Sequence, residues 1–238
     1  VAVSGLIAEQ LSSAYGGEVE AYPVIAPGVV PAAQLPDEQS HALRESLGWG
    51  QEDYVCLLVA RNPQRKGLNT VLQALVHLPN NVKLLVVGGN ASTRDYIRRN
   101  APSVAERVKT VDETSDVTPY YSCADAYVHP TLNDSFGMAP LEAMSYELPV
   151  ILSPSPWCGF AQYVTPNIDA LVLSHPENNE ELAGFIQQLI SSSTLHEQLV
   201  SGGRKLVKRH SWSEVARRYE ALYAEILQER DGRVASSK

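Results

Sequence analysis

Phenylalanine, tryptophan and cysteine each occur only three times in the 238 residues. Cys56, Cys123 and Cys158 are odd in number, far apart and set among apolar neighbours. That argues against a disulfide framework or a zinc site and fits a reducing, cytoplasmic setting. Basic residues are also scarce: 19 Lys and Arg stand against 27 Asp and Glu, for a net charge of −8. A broad nucleic-acid footprint needs clustered cations on one face, so no nucleic-acid partner is expected and any grip on an anion must be local. No apolar run approaches the roughly twenty residues of a membrane span. Residues 1–10 lack the basic start and long apolar centre of a secretion signal. What the chain does have is apolar content, 44% of its residues, enough for the core of one sizeable domain.

Apolar runs of strand length alternate with segments of helical period. This pattern predicts an α/β fold, a Rossmann-like parallel sheet with helices on both faces and closing C-terminal helices. Strands are expected over 22–25, 54–60, 83–87, 107–111, 126–128, 150–152 and 170–173. Helices are expected over 68–78, 92–100, 118–123, 138–146, 179–191, 195–208 and 213–228. The last begins at Ser211-Trp212-Ser213-Glu214, which offers capping residues, and carries Val215, Tyr219, Leu222, Tyr223 and Ile226 at helical spacing. Residues 21–229 form the main domain, 1–20 a preceding segment, and the polar stretch 230–238 is expected to be disordered.

Ligands of such sheets sit outside the carboxyl ends of the strands. Two post-strand loops carry the chemistry. One is Arg61-Asn62-Pro63-Gln64-Arg65-Lys66-Gly67, with three cations between a strand and a helix. It can face a diphosphate, helped by backbone N–H groups of the helix that follows, or it can be an ordinary solvated loop. The other is Asn133-Asp134-Ser135-Phe136-Gly137-Met138-Ala139-Pro140-Leu141-Glu142. Here Gly137 permits close backbone approach and Pro140 suits a first helical turn. Asp134 before the helix and Glu142 one turn inside are placed to flank the N–H groups of Gly137, Met138 and Ala139 in one pocket. Carboxylates accept sugar and ribose hydroxyls, and a helix N-terminus accepts phosphate. By themselves the two acids can equally be a turn residue and a dipole partner.

The second loop resembles the signature of the retaining glycosyltransferases of family four, which have the GT-B fold. The likeness rests on an acidic residue, seven residues and then Glu, with Phe136-Gly137 inside and Leu141-Glu142-Ala143-Met144 before a short strand. It extends to Ala26-Pro27-Gly28-Val29, to Arg61 with Lys66-Gly67, to Val86-Val87-Gly88-Gly89 and to Tyr120 through Ala126, and ends in the helix over 212–227. Pro156 to Val164 is similar to the corresponding stretch of the glucosyltransferases that build the inner core of bacterial lipopolysaccharide.

The resemblance implies roles. Arg61 and Lys66 would neutralise the donor diphosphate, and Glu142 would bind the nucleotide ribose. Asp134 would hold hydroxyls of the transferred sugar. The backbone N–H groups of Gly137, Met138 and Ala139, after Phe136, would cradle the distal phosphate, Ser135 and Phe136 would also line the donor site, and the loop from Val111 to Thr114 would meet the base. The family usually has Glu where Asp134 stands, one methylene longer. No cofactor and no metal are implied, since the nucleotide-sugar is a substrate and fixed cations would carry the leaving charge. The partners implied are a nucleotide-sugar donor, a glycan or lipid-linked acceptor, and an N-terminal Rossmann-like half of the same enzyme, of which residues 1–15 look like the tail. The chain is therefore expected to be a donor-binding half that transfers little by itself and meets the inner membrane, if at all, through the other half. A catalytically silent nucleotide-sugar-binding module is the alternative. A nucleotide-sugar epimerase is disfavoured because no acid–base pair is evident.

The histidines carry less. His129, before Pro130 at a strand end, is read as structural. His41, His77, His175, His196 and His210 are expected on the surface without a role. Gly202-Gly203 is read as a helix break, and Trp157 as a residue of the cleft or of the core.

Overall fold

A parallel strand covered on both faces must be apolar at successive positions, and the computed structural model shows where the chain satisfies that demand. It describes residues 1–32 and 35–236, with side chains as far as residue 228. The strands are β1 (Tyr54–Val59), β2 (Val82–Val87), β3 (Val108–Val111), β4 (Ala126–His129), β5 (Val150–Leu152) and β6 (Leu171–Val172). The helices are α1 (Gly5–Tyr15), α2 (Asp37–Ser46), α3 (Leu68–Val76), α4 (Ala91–Asn100), α5 (Thr118–Ser122), α6 (Met138–Ser145), α7 (Asn179–Ser191), α8 (Ser193–Arg209) and α9 (Trp212–Ser236). Every strand pair is parallel and the sheet order is β3-β2-β1-β4-β5-β6. The expected Rossmann-like sheet is present, and its order reverses between β1 and β4, where a crevice opens at the carboxyl ends.

Alternation along the strands divides the core. Cys56 and Leu58 of β1 join Leu84 and Val86 of β2 under α3 and α7, with Leu72, Leu75, Ile186 and Leu189. Val55 and Leu57 join Leu85, Tyr127 and Leu152 under α5, α6 and α8, with Tyr121, Leu141, Met144 and Leu206. Leu57 and Leu58 are both fully buried. Each such side chain contributes about 1.5–3 kcal/mol, so either face of β1 outweighs any single hydrogen bond in the loops it supports.

Three expectations need correction. The strand expected over 22–25 is absent as a ladder: the chain makes a 3-10 turn at Val19–Ala21 and one bridge between Ala2 and Val24. Pro23 lacks the N–H that a continued strand requires. The unforeseen helix α2 buries Ser40 alone and so shows little apolar stripe. Side chains dock it instead, Arg44 donating to the Cys123 carbonyl at 2.8 Å and to Asp125 at 2.8 Å.

Gly202-Gly203 does not break a helix but lies inside α8, where both are buried. A Cβ on Gly202 would stand 2.2 Å from the Ile168 carbonyl oxygen, so glycine permits a close approach of α8. The last helix, α9, ends at Ser236. Ser237 and Lys238 lie outside the described residues.

Candidate functional site

The two loops singled out from sequence follow β1 and β4, the strands on either side of the order reversal. They are tied to each other. Leu132 N–H donates to the Arg65 carbonyl at 2.9 Å, and the Thr131 hydroxyl reaches the same carbonyl at 3.4 Å. Gly67 caps α3 at φ 87°, and a Cβ there would lie 2.0 Å from the Pro130 carbonyl oxygen. Only glycine lets the loops meet this closely.

Across that contact Lys66 Nζ is ion-paired with Asp134 Oδ2. The same oxygen meets His129 Nε2 at 3.0 Å. Burial alone would raise the Asp134 carboxyl, but bonds from His129 and Lys66 outweigh it and hold the group down to about 2. It is a fixed anion at neutral pH. Burial lowers His129, against the opposing pull of Asp134. Sequence reasoning set His129 aside as structural, yet it contacts the key acid. The signal available was its place at the end of the strand that feeds the signature loop.

The loop of Asp134 is also clamped from the other side. Asp134 N–H donates to the Trp157 carbonyl at 2.8 Å, and Gly159 N–H to the Asp134 carbonyl at 3.0 Å. The Ser4 hydroxyl donates to the Ser135 carbonyl at 2.6 Å, so the first residues pack against this loop. Phe136 is buried against Phe160, Tyr163 and His210 at centroid distances of 5.4, 5.7 and 5.9 Å. His210 is thus buried, contrary to its expected surface place. Trp157 is half-buried and packs edge-on against His175 at 4.8 Å. Gly137 turns the chain at φ 105° into α6, whose N-terminus has no side-chain cap and no acid in its first turn. The N–H groups beginning at Met138 therefore remain available to an anion.

Glu142 lies in α6. It lines a cavity of about 730 Å³ with Met138, Tyr121, Val117, Thr118, Gly28 and Trp212, and neither Asp134 nor Lys66 reaches that cavity. Tyr121 Oη donates to Glu142 Oε2 at 3.1 Å and holds it on the cavity wall. Tyr121 in turn stacks on Tyr146 at 4.9 Å.

Arg61 is not gathered with Lys66. It is 85% exposed and pairs with Glu113 at 2.7 Å, beyond β3. An exposed pair of this kind contributes about 0–1 kcal/mol, so an anionic ligand can recruit Arg61 at small cost. The Val111 carbonyl already accepts from Gly88 N–H and Gly89 N–H at 3.0 and 3.1 Å. Any backbone contact to a base in this loop falls to residues after Val111. Among the described residues no group of three or more His, Cys, Asp or Glu is arranged to hold a metal ion, and no helix is long and apolar enough to cross a membrane.

The uncapped helix, the buried cation–carboxylate contact and the strand order are features of the segment that the family described as glycosyl transferases group 1 matches, over residues 39–206. The chain belongs to that family. This group 1 glycosyltransferase chain is 27% identical over 241 residues to D-inositol 3-phosphate glycosyltransferase of Xylanimonas cellulosilytica, covering 95% of this chain and 56% of that protein. It is 26% identical over 213 residues to lipopolysaccharide glucosyltransferase WaaG of Escherichia coli, covering 86% and 53%. The chain thus spans about half the length of these curated relatives. Among solved structures, Anabaena Alr3699/HepE in complex with UDP superimposes with a TM-score of 0.83 at 21% identity, over 94% of this chain and 63% of that one. That likeness shows the fold, and the family resemblance read from the signature residues holds.

Proposed function

We propose that this chain is the donor-binding half of a retaining, metal-independent GT-B hexosyltransferase that takes a nucleotide diphosphate sugar, most simply a UDP-sugar. The observation that carries the reading is the gathering of Lys66, Asp134 and the uncapped α6 N-terminus where the sheet order reverses. The Lys66 ammonium directs one of its three N–H donors at Asp134, leaving two for phosphate oxygens. Backbone N–H groups from Gly137 to Ala139 point toward the same anion, and exposed Arg61 swings from Glu113 to join them. The sugar lies over Asp134, the ribose hydroxyls on Glu142, and the base toward the loop after Val111.

As the bond from sugar to diphosphate breaks, negative charge grows on the departing oxygens. Fixed cations and helix N–H groups stabilise that charge more in the transition state than in the ground state. The acceptor, a glycan or lipid-linked sugar, is held by a second Rossmann-like domain of the same enzyme, so this half alone transfers little. The UDP complex of Alr3699/HepE and the glucosyltransferase activity named for WaaG support a UDP-hexose donor. Ligand-observed NMR with UDP-glucose, GDP-mannose and ADP-glucose tests the reading. Binding of UDP-glucose that Lys66→Ala and Glu142→Ala each weaken is expected; no binding by any of the three, or binding untouched by both changes, overturns it.

A further inference from the structure

Asp134 is gripped from two sides at one oxygen. Oδ2 meets both Lys66 Nζ and His129 Nε2, while Oδ1 has no partner among the described residues. The two grips differ in kind. Lys66 sits in a loop on a flexible four-carbon stem, and it is also the cation that a diphosphate would claim. His129 ends β4, is 1% exposed, and its carbonyl accepts from Ser153 N–H at 3.1 Å and Thr131 N–H at 2.8 Å. Its backbone is held at the sheet end and its ring stacks on Tyr127 at 6.0 Å. The remaining ring nitrogen, Nδ1, is buried with no partner. A neutral imidazole has one N–H, and the nitrogen facing a carboxylate carries it. The contact of Nε2 with Asp134 is therefore, among the described residues, the one polar contact of the ring.

We propose that His129 is a positioning residue for the donor sugar: its Nε2–H holds Asp134 in place, with Oδ1 presented to a sugar hydroxyl, after the diphosphate has drawn on Lys66. The proposal rests on the donor-site reading above. It separates two ligands, because UDP engages Lys66 and Glu142 without needing Asp134, whereas UDP-glucose needs Asp134 as well.

The test is calorimetric titration of the 238-residue chain with UDP and with UDP-glucose, on the unaltered protein, His129→Ala and His129→Gln. The Gln side chain keeps an amide N–H at similar reach. Expected for His129→Ala is a UDP dissociation constant within about twofold of the unaltered chain and a UDP-glucose constant raised about tenfold, with most of the loss restored in His129→Gln. An unchanged ratio of the two constants in His129→Ala overturns the proposal, as does equal loss of both ligands in the Ala and Gln variants. Should the unaltered chain bind neither ligand, the donor-site reading itself fails, and this one with it. A measurement free of any variant is the nitrogen-15 spectrum of the His129 ring: protonation at Nε2 is expected, and protonation at Nδ1 alone contradicts the role.

Discussion

Replacing Gly67 with alanine separates the geometry of the site from the general stability of the sheet. Gly67 occupies the left-handed region at φ 87°, and its added Cβ would meet the Pro130 carbonyl oxygen at 2.0 Å and the Pro130 carbonyl carbon at 2.6 Å. Gly48 is the internal control, since φ is 77° there and nothing lies within 4 Å of a built Cβ. In Gly48→Ala the left-handed conformation costs about 1–2 kcal/mol. The less flexible unfolded chain returns about 0.4–1 kcal/mol of that. The net destabilisation is therefore about 1 kcal/mol.

Gly67→Ala carries the same backbone term plus an overlap with main-chain atoms that no rotamer relieves, adding about 1–3 kcal/mol as overpacking does. The loop after β1 must back away from the loop after β4, taking Lys66 from Asp134. Urea midpoints give the stabilities, and calorimetric titration with UDP gives the functional readout. Gly67→Ala is expected to lose more stability than Gly48→Ala and to bind UDP at least about tenfold more weakly, with Gly48→Ala binding as the unaltered chain does. A Gly67→Ala variant matching Gly48→Ala in both stability and UDP affinity would refute the claim that the loop contact builds the site.

Other outcomes follow from the same contacts. Lys66→Ala should weaken UDP binding by about tenfold or more and move the Asp134 carboxyl upward from about 2 in a carbon-detected NMR titration. Arg61→Ala, starting from an exposed pair with Glu113, should weaken UDP by no more than a few-fold. Tyr121→Phe keeps the ring stacked on Tyr146 but removes the donor to Glu142; a loss of about 0.5–1.5 kcal/mol in stability or UDP affinity is expected, and no change in either argues that Glu142 needs no support. Burial lowers both His129 and His210 from the ordinary 6.5. The unfolded chain therefore binds protons first, and stability should decline as pH falls below 6.5. His210→Phe, set among Phe136, Phe160 and Tyr163, should flatten that decline between pH 7.5 and pH 5.5, read from urea midpoints; an unaltered slope assigns it elsewhere.

Much of the fold was legible because a strand buried on both faces has little freedom of composition. Tyr54 to Ala60 and Lys83 to Val87 read as strands from their apolar runs, and the sheet fixed what followed each of them. Helix α2 was not legible, since its docking rests on Arg44 rather than on an apolar stripe. At the site, Lys66, Asp134 and the α6 start could be named from residue type and position after a strand. Their contact could not, because it joins residues 68 positions apart through a glycine whose φ a sequence does not print. His129 was undervalued because a lone histidine gains meaning only from its neighbour.

The central claim is that the α6 N-terminus, with Lys66 and Glu142 on either side, is a nucleotide-diphosphate site. The most direct measurement is a crystal structure of the chain with UDP bound. The diphosphate is expected within hydrogen-bonding distance of Lys66 Nζ and the backbone N–H groups of Met138 or Ala139, with ribose hydroxyls on the Glu142 carboxylate. UDP bound away from the α6 N-terminus, or seated there with Lys66 still turned wholly to Asp134 and Glu142 untouched, would contradict it.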